Sequence, residues 1–452
     1  MALKEVEKRD GFTSKFGIIA AAAGSAIGLG NIWRFPYVVG ESGGGAFLLM
    51  YLGFVVILGI PVMLSEFVIG RKAGLNAFGS FKKLAPGTLW PVVGIMGIVA
   101  AFVILAFYST IAGWTLHYMY SSITNAFHGQ SSQELSLMFQ SFQLSGLLPV
   151  FWQFVFLVLT AIIILSGVKK GIEKYSKILM PFLLFLLLIL CLRSITLPGA
   201  MEGIAFLFRP DFSKLSANVM LSALGQAAFS LSIGMGTLIT YASYFPKNTN
   251  LSNTAIEVSM ADVLIAILAG IAIFPAVFAL GMQPDQGVGL IFMVLPNVFL
   301  QMPGGYFLSI AFFVLLSVAA LTSSISIMEV VVAFLVEEFK LARPHATIIT
   351  LVASAFVGVF CTLSWSTFSS VTLAGYTIFD VLDYSASNIL LPLGGLLIVV
   401  FVGWYMNHTE VKEEISNSGQ LKIKFFNIFR FIIKFIAPVA IAIVFLNGIG
   451  FL

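Results

Sequence analysis

The chain has 452 residues, of which 59% are hydrophobic and only 10% are charged, and its mean hydropathy is +1.02. This balance excludes a soluble globular protein and indicates a helical protein that crosses a membrane many times. The formal net charge of +4 does not suggest a nucleic-acid partner. Two cysteines and four scattered histidines give neither a disulfide pattern nor metal-ligand spacing.

The apolar runs predict an all-α fold with eleven membrane-spanning helices, since each span needs about 20 apolar residues. The spans lie near residues 16–39, 44–70, 89–123, 150–167, 176–194, 217–244, 255–280, 305–337, 345–363, 376–406 and 426–450. Lysine and arginine concentrate in alternate connections, which predicts a cytoplasmic amino terminus and a carboxyl terminus outside. The loop 124–149 lacks both residue types and is predicted outside, as is the proline-broken segment 284–303, expected to form a hairpin-like loop.

Glycines interrupt the first span. Gly24, Gly28 and Gly30 fall within seven residues, and the polar Asn31 and Arg34 follow them. Each glycine lowers helix stability by about 1 kcal/mol relative to alanine, and open backbone at membrane depth is tolerated only where it lines a cavity or is buried in protein. Freed carbonyls can hold a cation and freed amides an anion. The segment therefore predicts a site for an ion and a charged solute.

Span five also contains residues that weaken its helical hydrogen bonding. Pro181 cannot donate to the carbonyl four residues earlier, and its ring crowds that turn. Gly171 lies ten residues before it, and polar residues such as Glu173 and Lys177 can keep an unwound stretch hydrated. We expect the stretch to unwind on the cytoplasmic side and admit water to a bound ion; a static kink is the open alternative.

A second interrupted span lies about 200 residues after the first, at 226–237, and again combines glycines with small hydroxyl residues. Because five spans separate the two breaks, the broken helices enter the membrane in opposite directions, which is typical of an inverted repeat. The predicted single transporter domain, 1–452, thus contains repeats 16–194 and 217–406 and an extra helix at 426–450. Close packing through glycine explains the breaks less well, since both carry polar groups.

Three motifs carry a resemblance to a known family: Gly24–Pro36 (GSAIGLGNIWRFP), Glu41–Phe47 (ESGGGAF) and Gly59–Arg71 (GIPVMLSEFVIGR). With Trp114–Leu116, Gln226–Tyr244, Leu321–Ile325 and Phe379–Asp383, they make the chain resemble the neurotransmitter:sodium symporter family, which has the leucine-transporter fold. The likeness extends over spans one to ten and is strongest to bacterial transporters of several hydrophobic amino acids. It implies a plasma-membrane symporter, not an enzyme, that imports hydrophobic L-amino acids with sodium by alternating access.

The resemblance also implies two sodium sites and no other cofactor. Sodium is a hard cation that takes oxygen ligands, and the matching positions offer carbonyl, amide, hydroxyl and carboxylate oxygens. The first site comprises Ala26, Asn31, Ser230 and Asp262; the second comprises Gly24, Ile27, Ala319, Thr322 and Ser323. For the hydroxyls of Thr322 and Ser323, the alternative is a bond back to their own helix. Transport is expected to be independent of chloride, because Asp262 brings a fixed negative charge and Ala266 lacks a hydroxyl donor.

The same resemblance implies a substrate pocket and two gates. The pocket residues are Ala26, Leu29, Gly30, Ile104, Tyr108, Phe229, Ser230, Ser232, Met235, Ser323, Ser324, Ser326 and Ile327. Met235 stands where relatives often carry an aromatic ring, and its adaptable thioether favours a broad range of aliphatic and aromatic substrates. Arg34 with Asp383 would form the outer gate; Arg9 with Glu337, near Tyr244, would form the inner gate. Glu66 is expected to accept hydrogen bonds from the freed amides of a broken helix.

Other functional classes remain open from sequence alone. A channel needs a continuous pore, whereas paired breaks build a site that can be closed off on both sides. An intramembrane enzyme would need a nucleophile with a base or a metal dyad, and neither Gly-x-Ser-x-Gly nor His-Glu-x-x-His occurs. An amino-acid sensor that does not transport is the third alternative.

Overall fold

The computed structural model describes residues 10–281 and 290–451 of the chain, which form a bundle of helices. The helices of the first half are α1 (Lys15–Ala26), α2 (Gly30–Glu41), α3 (Gly45–Ala73), α4 (Ala77–Leu84), α5 (Pro91–Ile123), α6 (Ser132–Leu144), α7 (Leu147–Leu165), α8 (Val168–Ile195) and α9 (Ala200–Phe208). Those of the second half are α10 (Ala217–Ser230), α11 (Thr237–Ala242), α12 (Leu251–Ala279), α13 (Ile291–Gln301), α14 (Gly305–Glu338), α15 (Arg343–Trp365), α16 (Ile378–Tyr405), α17 (His408–Ile415) and α18 (Phe426–Gly448).

Within these described residues, nine helices are each long and apolar enough to cross a membrane. They are α3, α5, α7, α8, α12, α14, α15, α16 and α18. The pair α1 and α2, bent by 51° at its break, is a tenth candidate. The remaining predicted span, 217–244, corresponds to α10 and α11, which have 14 and 6 residues and are each too short to count as a span.

One expectation about a connection was wrong in part. The segment 284–303 was predicted as a hairpin-like loop, yet its described part contains the apolar helix α13. Pro296 lies directly after the π-helical turn that opens α13, at the second residue of the regular α-helix Leu295–Gln301. The remainder of the segment up to residue 289 lies outside the described residues.

The first break is formed because the chain leaves helical geometry at Ile27, whose ψ is 99°, and α2 starts three residues later. Gly28 is required at this point: a Cβ there would lie 2.8 Å from the Cβ of Ser323 on α14. In the second break, Ser232, Gly234 and Gly236 have φ values of +56°, +85° and +74°. Left-handed backbone at three positions in five residues cannot continue a helix.

The long helix α14 lies at the centre of the bundle and packs against α1, α5, α7 and α8. The short helix α11 packs on α3, while α18 packs mainly on α16 and has only 17% of its apolar window buried. The two breaks are therefore enclosed by other helices, and α18 lies at the edge of the bundle. A small hairpin, β1 (Thr372–Leu373) paired with β2 (Tyr376–Thr377), precedes α16 at the end of the bundle that carries α6.

The opposite end, which carries α4 and α17, is closed around Arg71. The Arg71 side chain is only 2% exposed; its Nε donates to Glu414 Oε1 at 2.6 Å and its Nη1 to Asn417 Oδ1 at 2.9 Å. It also donates to the carbonyls of Glu414 and Thr249. Lys247 donates to the Arg71 carbonyl at 2.6 Å, and partial burial lowers the pKa of Lys247. One buried guanidinium thus ties the end of α3 to two connecting segments.

Candidate functional site

A fully buried carboxylate, Asp262 on α12, lies between the two breaks. It accepts hydrogen bonds from Asn31 Nδ2 at 2.7 Å, from Tyr51 Oη at 2.9 Å, and from Ser230 Oγ at 2.8 and 2.9 Å to its two oxygens. All four side chains are at most 1% exposed. Ala26 is the last residue of α1, so its carbonyl is among those that helix geometry leaves without a helical amide. Every residue predicted for the first sodium site thus comes from this region.

Tyr51 was missed by sequence reasoning. It lies on α3 with no exposed surface and supplies the third donor to Asp262. A lone hydroxyl among the aromatic residues of an apolar helix gives no signal in sequence, because its partner is 211 residues away.

A second cluster of oxygens joins α1 to α14. Thr322 Oγ1 donates to the Ala319 carbonyl at 3.0 Å and approaches the Ile27 carbonyl at 3.4 Å, so it both bonds back to its own helix and faces the break. A Cβ at Gly24 would lie 3.4 Å from the Thr322 Cβ. Ser323 Oγ donates to the Ser25 carbonyl at 3.1 Å. The residues predicted for the second sodium site are therefore neighbours.

Most of the predicted pocket residues lie beside these clusters. Tyr108 Oη accepts from the amide of Leu29 at 3.2 Å, and Ser232 Oγ donates to the Ser25 carbonyl at 2.9 Å. The Phe229 ring covers Gly30, where a Cβ would lie 3.3 Å from it. Buried apolar side chains complete the set: Ile104, Met235 and Ile327. The arrangement therefore places backbone amides and carbonyls that lie outside regular helices next to apolar side chains.

Two predicted pocket residues use their hydroxyls in hydrogen bonds within the helix bundle. Ser324 Oγ shares a 2.9 Å hydrogen bond with Thr160 on α7, because it is rotated by about 100° from Ser323 around α14. Ser326 lies one turn further along, donates to the Ser323 carbonyl at 2.7 Å and contacts Tyr241 on α11. The Ser324 hydroxyl thus faces α7, and contact of either residue with substrate stays a prediction.

The predicted outer gate is not in direct contact. Within residues 10–281 and 290–451, no ion pair of 4.0 Å or less joins Arg34 to Asp383, although the two charges interact electrostatically. Asp383 accepts from Ser387 at 3.0 Å, and the guanidinium carbon of Arg34 lies 4.4 Å from the centre of the Phe229 ring. Arg34 also lines a cavity of about 270 Å³ that includes Gln226.

At the predicted inner gate, Arg9 lies outside the described residues. Its expected partner Glu337 accepts from the amide and side chain of Asn76 at 2.7 and 2.9 Å. Tyr244 Oη donates to Glu329 Oε1 at 2.8 Å, and Glu329 belongs to an ion pair that sequence reasoning missed.

The missed pair joins α14 to the start of α15. Arg343 donates to both carboxylate oxygens of the fully buried Glu329, at 3.1 and 2.5 Å. Glu329 is a lone acidic residue inside the apolar run 305–336, and this could have signalled a paired charge, since unpaired intramembrane charges are costly.

Two other acidic side chains accept hydrogen bonds from backbone amides, one at the second break and one at the entry to α1. As predicted, Glu66 accepts from a freed amide of the second break, that of Gly234, at 2.8 Å. Glu173, near the start of α8, accepts from the Thr13 amide at 2.9 Å and the Ser14 hydroxyl at 2.9 Å, and so holds the entry to α1. The stretch 172–180 expected to unwind is helical in this structure.

Broken helices around a buried carboxylate, inside a bundle of apolar spans, define a membrane transporter with a central site for a cation and a small solute. A model of the sodium:neurotransmitter symporter family matches residues 9–136 and 126–451, and the chain belongs to this family. It is therefore a multi-pass, sodium-dependent symporter and not an enzyme.

The relatives agree with this assignment. The chain is 42% identical over 441 residues to the sodium-dependent transporter YhdH of Bacillus subtilis, covering 98% of each chain. It is 37% identical to a sodium-dependent transporter of Haemophilus influenzae, covering 98% of this chain and 99% of that one. Among solved structures, MhsT in complex with L-phenylalanine matches with a TM-score of 0.90 and 47% identity, over 97% of this chain and all of that one.

Proposed function

We propose that the protein imports hydrophobic L-amino acids with two sodium ions per substrate, by alternating access and without chloride. The single observation that carries the proposal is the carboxylate of Asp262, buried between two broken helices and surrounded by the neutral donors of Asn31, Tyr51 and Ser230. A buried negative charge without a cationic partner is costly, and a bound sodium ion would neutralise it. The first sodium site is assigned to Ala26, Asn31, Ser230 and Asp262.

The second sodium ion is assigned to the oxygens between α1 and α14. Thr322 and Ser323 supply hydroxyls, while Gly24, Ile27 and Ala319 supply carbonyls. The approach of Thr322 Oγ1 to the Ile27 carbonyl supports this site, because it brings oxygens from both helices to one place. An ion held there would join the broken helix α1 to the central helix α14.

The proposed substrate class follows from the apolar side chains beside the two proposed sodium sites. Phe229, Met235, Ile104 and Ile327 would contact an apolar side chain, while Tyr108 and the amide of Leu29 are placed to receive a carboxylate. The similarity to MhsT, solved in complex with L-phenylalanine, supports a hydrophobic amino acid.

Independence from chloride is supported by the neighbours of Asp262. Its carboxylate already engages the hydroxyls of Tyr51 and Ser230, which would otherwise be free to bind an anion. Ala266, one turn along α12, is fully buried and has no polar side-chain atom to donate. A fixed carboxylate therefore takes the place that a mobile anion would need.

The proposed architecture has eleven spans, with α10 and α11 as one broken span that mirrors α1 and α2. Repeats 16–194 and 217–406 would be related by inversion, with 426–450 added. The breaks in α1–α2 and α10–α11 face each other across Asp262, which supports this pairing. The protein would lie in the plasma membrane with its amino terminus in the cytoplasm and its carboxyl terminus outside.

Uptake into proteoliposomes tests the proposal. Labelled leucine should accumulate only when external sodium exceeds internal sodium, and unlabelled aromatic and aliphatic amino acids should compete, whereas aspartate and lysine should not. Replacing chloride by gluconate should leave uptake unchanged. Uptake that persists without sodium, or that ceases without chloride, would contradict the mechanism. Saturable binding without accumulation would indicate a sensor.

A further inference from the structure

A strongly basic and aromatic surface lies where α16 and α18 meet, at the end of the bundle that carries α4. From residue 415 to the end of the chain there are four cationic residues, Lys422, Lys424, Arg430 and Lys434, and no aspartate or glutamate. Within the part of the chain that the structure describes, none of the four forms an ion pair. Their charge is therefore available to an external partner.

Aromatic side chains accompany these cations. Lys434 Nζ lies 4.8 Å from the centre of the Trp404 ring, and Trp404 Nε1 donates to the Lys434 carbonyl at 3.1 Å. The side chains of Trp404, Phe431 and Phe435 are 57%, 56% and 50% exposed. Tryptophan and cationic residues together are typical of the boundary between hydrocarbon and headgroups. This surface is therefore suited to the edge of a bilayer.

An apolar groove adjoins it. The groove has a volume of about 370 Å³ and is lined by Thr88, Leu89, Trp90, Val92, Val93 and Leu397. The rings of Trp90 and Tyr405 lie 5.6 Å apart, and Tyr405 follows Trp404 at the end of α16, so the groove and the cations lie at the same level along α16. A ligand that covered both would need an apolar chain attached to a negatively charged head.

We propose that this surface binds one anionic phospholipid, with an acyl chain in the groove and the phosphate beside Lys434 and Arg430. A second copy of the chain fits the surface less well. A symmetric dimer through this face would bring like charges together, and each cation near an anionic membrane surface gains favourable binding energy instead. The exposed rings beside the cations favour a lipid over a soluble acidic peptide.

Native mass spectrometry of the purified full-length protein tests the proposal. The protein is presented with equal amounts of phosphatidylglycerol and phosphatidylcholine of identical chains. We expect phosphatidylglycerol to be retained preferentially, and Arg430→Gln with Lys434→Gln to lower that preference roughly tenfold or more. The matched control, Lys169→Gln with Lys170→Gln, removes two exposed cations from another connection and should leave the preference unchanged.

Leu397→Trp fills the groove and should reduce retention of phosphatidylglycerol while the four cations remain. Sodium-dependent substrate binding by each variant verifies that it is folded. Equal retention of the two lipids by the native protein would overturn the proposal, as would an equal loss in the control variant. A dimer that dissociates on removal of Arg430 and Lys434 would assign the surface to a second copy instead.

Discussion

Replacing Asp262 by asparagine removes the charge at the centre of the site and keeps its shape. The carboxylate accepts from three side chains, and two of these, Tyr51 and Ser230, carry hydroxyls that can reverse their roles and accept from the new amide. Asn31 Nδ2 can still donate to the remaining oxygen. The variant should therefore fold, and its main defect should be in ion binding.

The size of that defect follows from the loss of one unit charge next to sodium. At about 4 Å and an effective dielectric constant of about 20, the Coulomb energy of such a pair is about 4 kcal/mol. Released hydrogen bonds and water offset part of it, so we expect a loss of about 2–4 kcal/mol, or roughly 30- to 1000-fold in sodium affinity. Because ion and substrate binding are linked, substrate affinity at fixed sodium should fall as well.

Binding of labelled leucine to purified protein over a range of sodium concentrations measures this effect. Asp262→Asn should shift the sodium dependence to higher concentration, whereas the exposed Asp211→Asn should not. Adding Ala266→Ser should then make binding respond to chloride, since the pair of substitutions supplies a neutral amide and a hydroxyl donor. An unchanged sodium dependence in Asp262→Asn would refute the role assigned to the carboxylate.

Four further substitutions test other parts of the structure. Thr322→Val keeps the shape but deletes a hydroxyl, and should weaken sodium binding about tenfold, measured by the same titration; a normal titration would leave the hydroxyl as a bond to its own helix. Met235→Phe should reduce competition by tryptophan more than by valine, because a stiff ring cannot move aside; equal loss would remove Met235 from the pocket. Pro181→Ala should slow sodium-driven uptake while leaving equilibrium binding nearly intact, and normal turnover would indicate a static kink. Glu329→Gln should lower the free energy of unfolding by about 2–4 kcal/mol, and with it the thermal unfolding midpoint, because it leaves the guanidinium of Arg343 without its charge partner. An unchanged midpoint would show that the pair contributes little.

The features that the sequence predicted well are those that depend on local backbone chemistry. The glycines of the first break, and Gly234 and Gly236 in the second, indicate where helices must open. A glutamate inside an apolar span, Glu66, needs donors, and freed amides are the nearest source. These inferences need no knowledge of how the helices are rotated against one another.

The features that sequence missed depend on rotation and distance between helices. Ser323 and Ser324 are adjacent in the chain, yet one faces α1 and the other faces α7. Tyr51 reaches Asp262 only because α3 packs beside α12. The separation of Arg34 from Asp383 is likewise a property of how far α2 and α16 stand apart, which residue types alone do not specify.

The close approach at Gly28 has a further consequence. A methyl group there would meet the side chain of Ser323 at 2.8 Å and the hydroxyl of Tyr108 at 3.0 Å. These two side chains belong to the proposed ion site and the proposed carboxylate site, so the backbone of Gly28 lies against both proposed sites at once. Ser323 is also hydrogen-bonded to Tyr108, so under the proposed assignments an ion that displaced Ser323 would act on the carboxylate-binding hydroxyl without an intermediate residue.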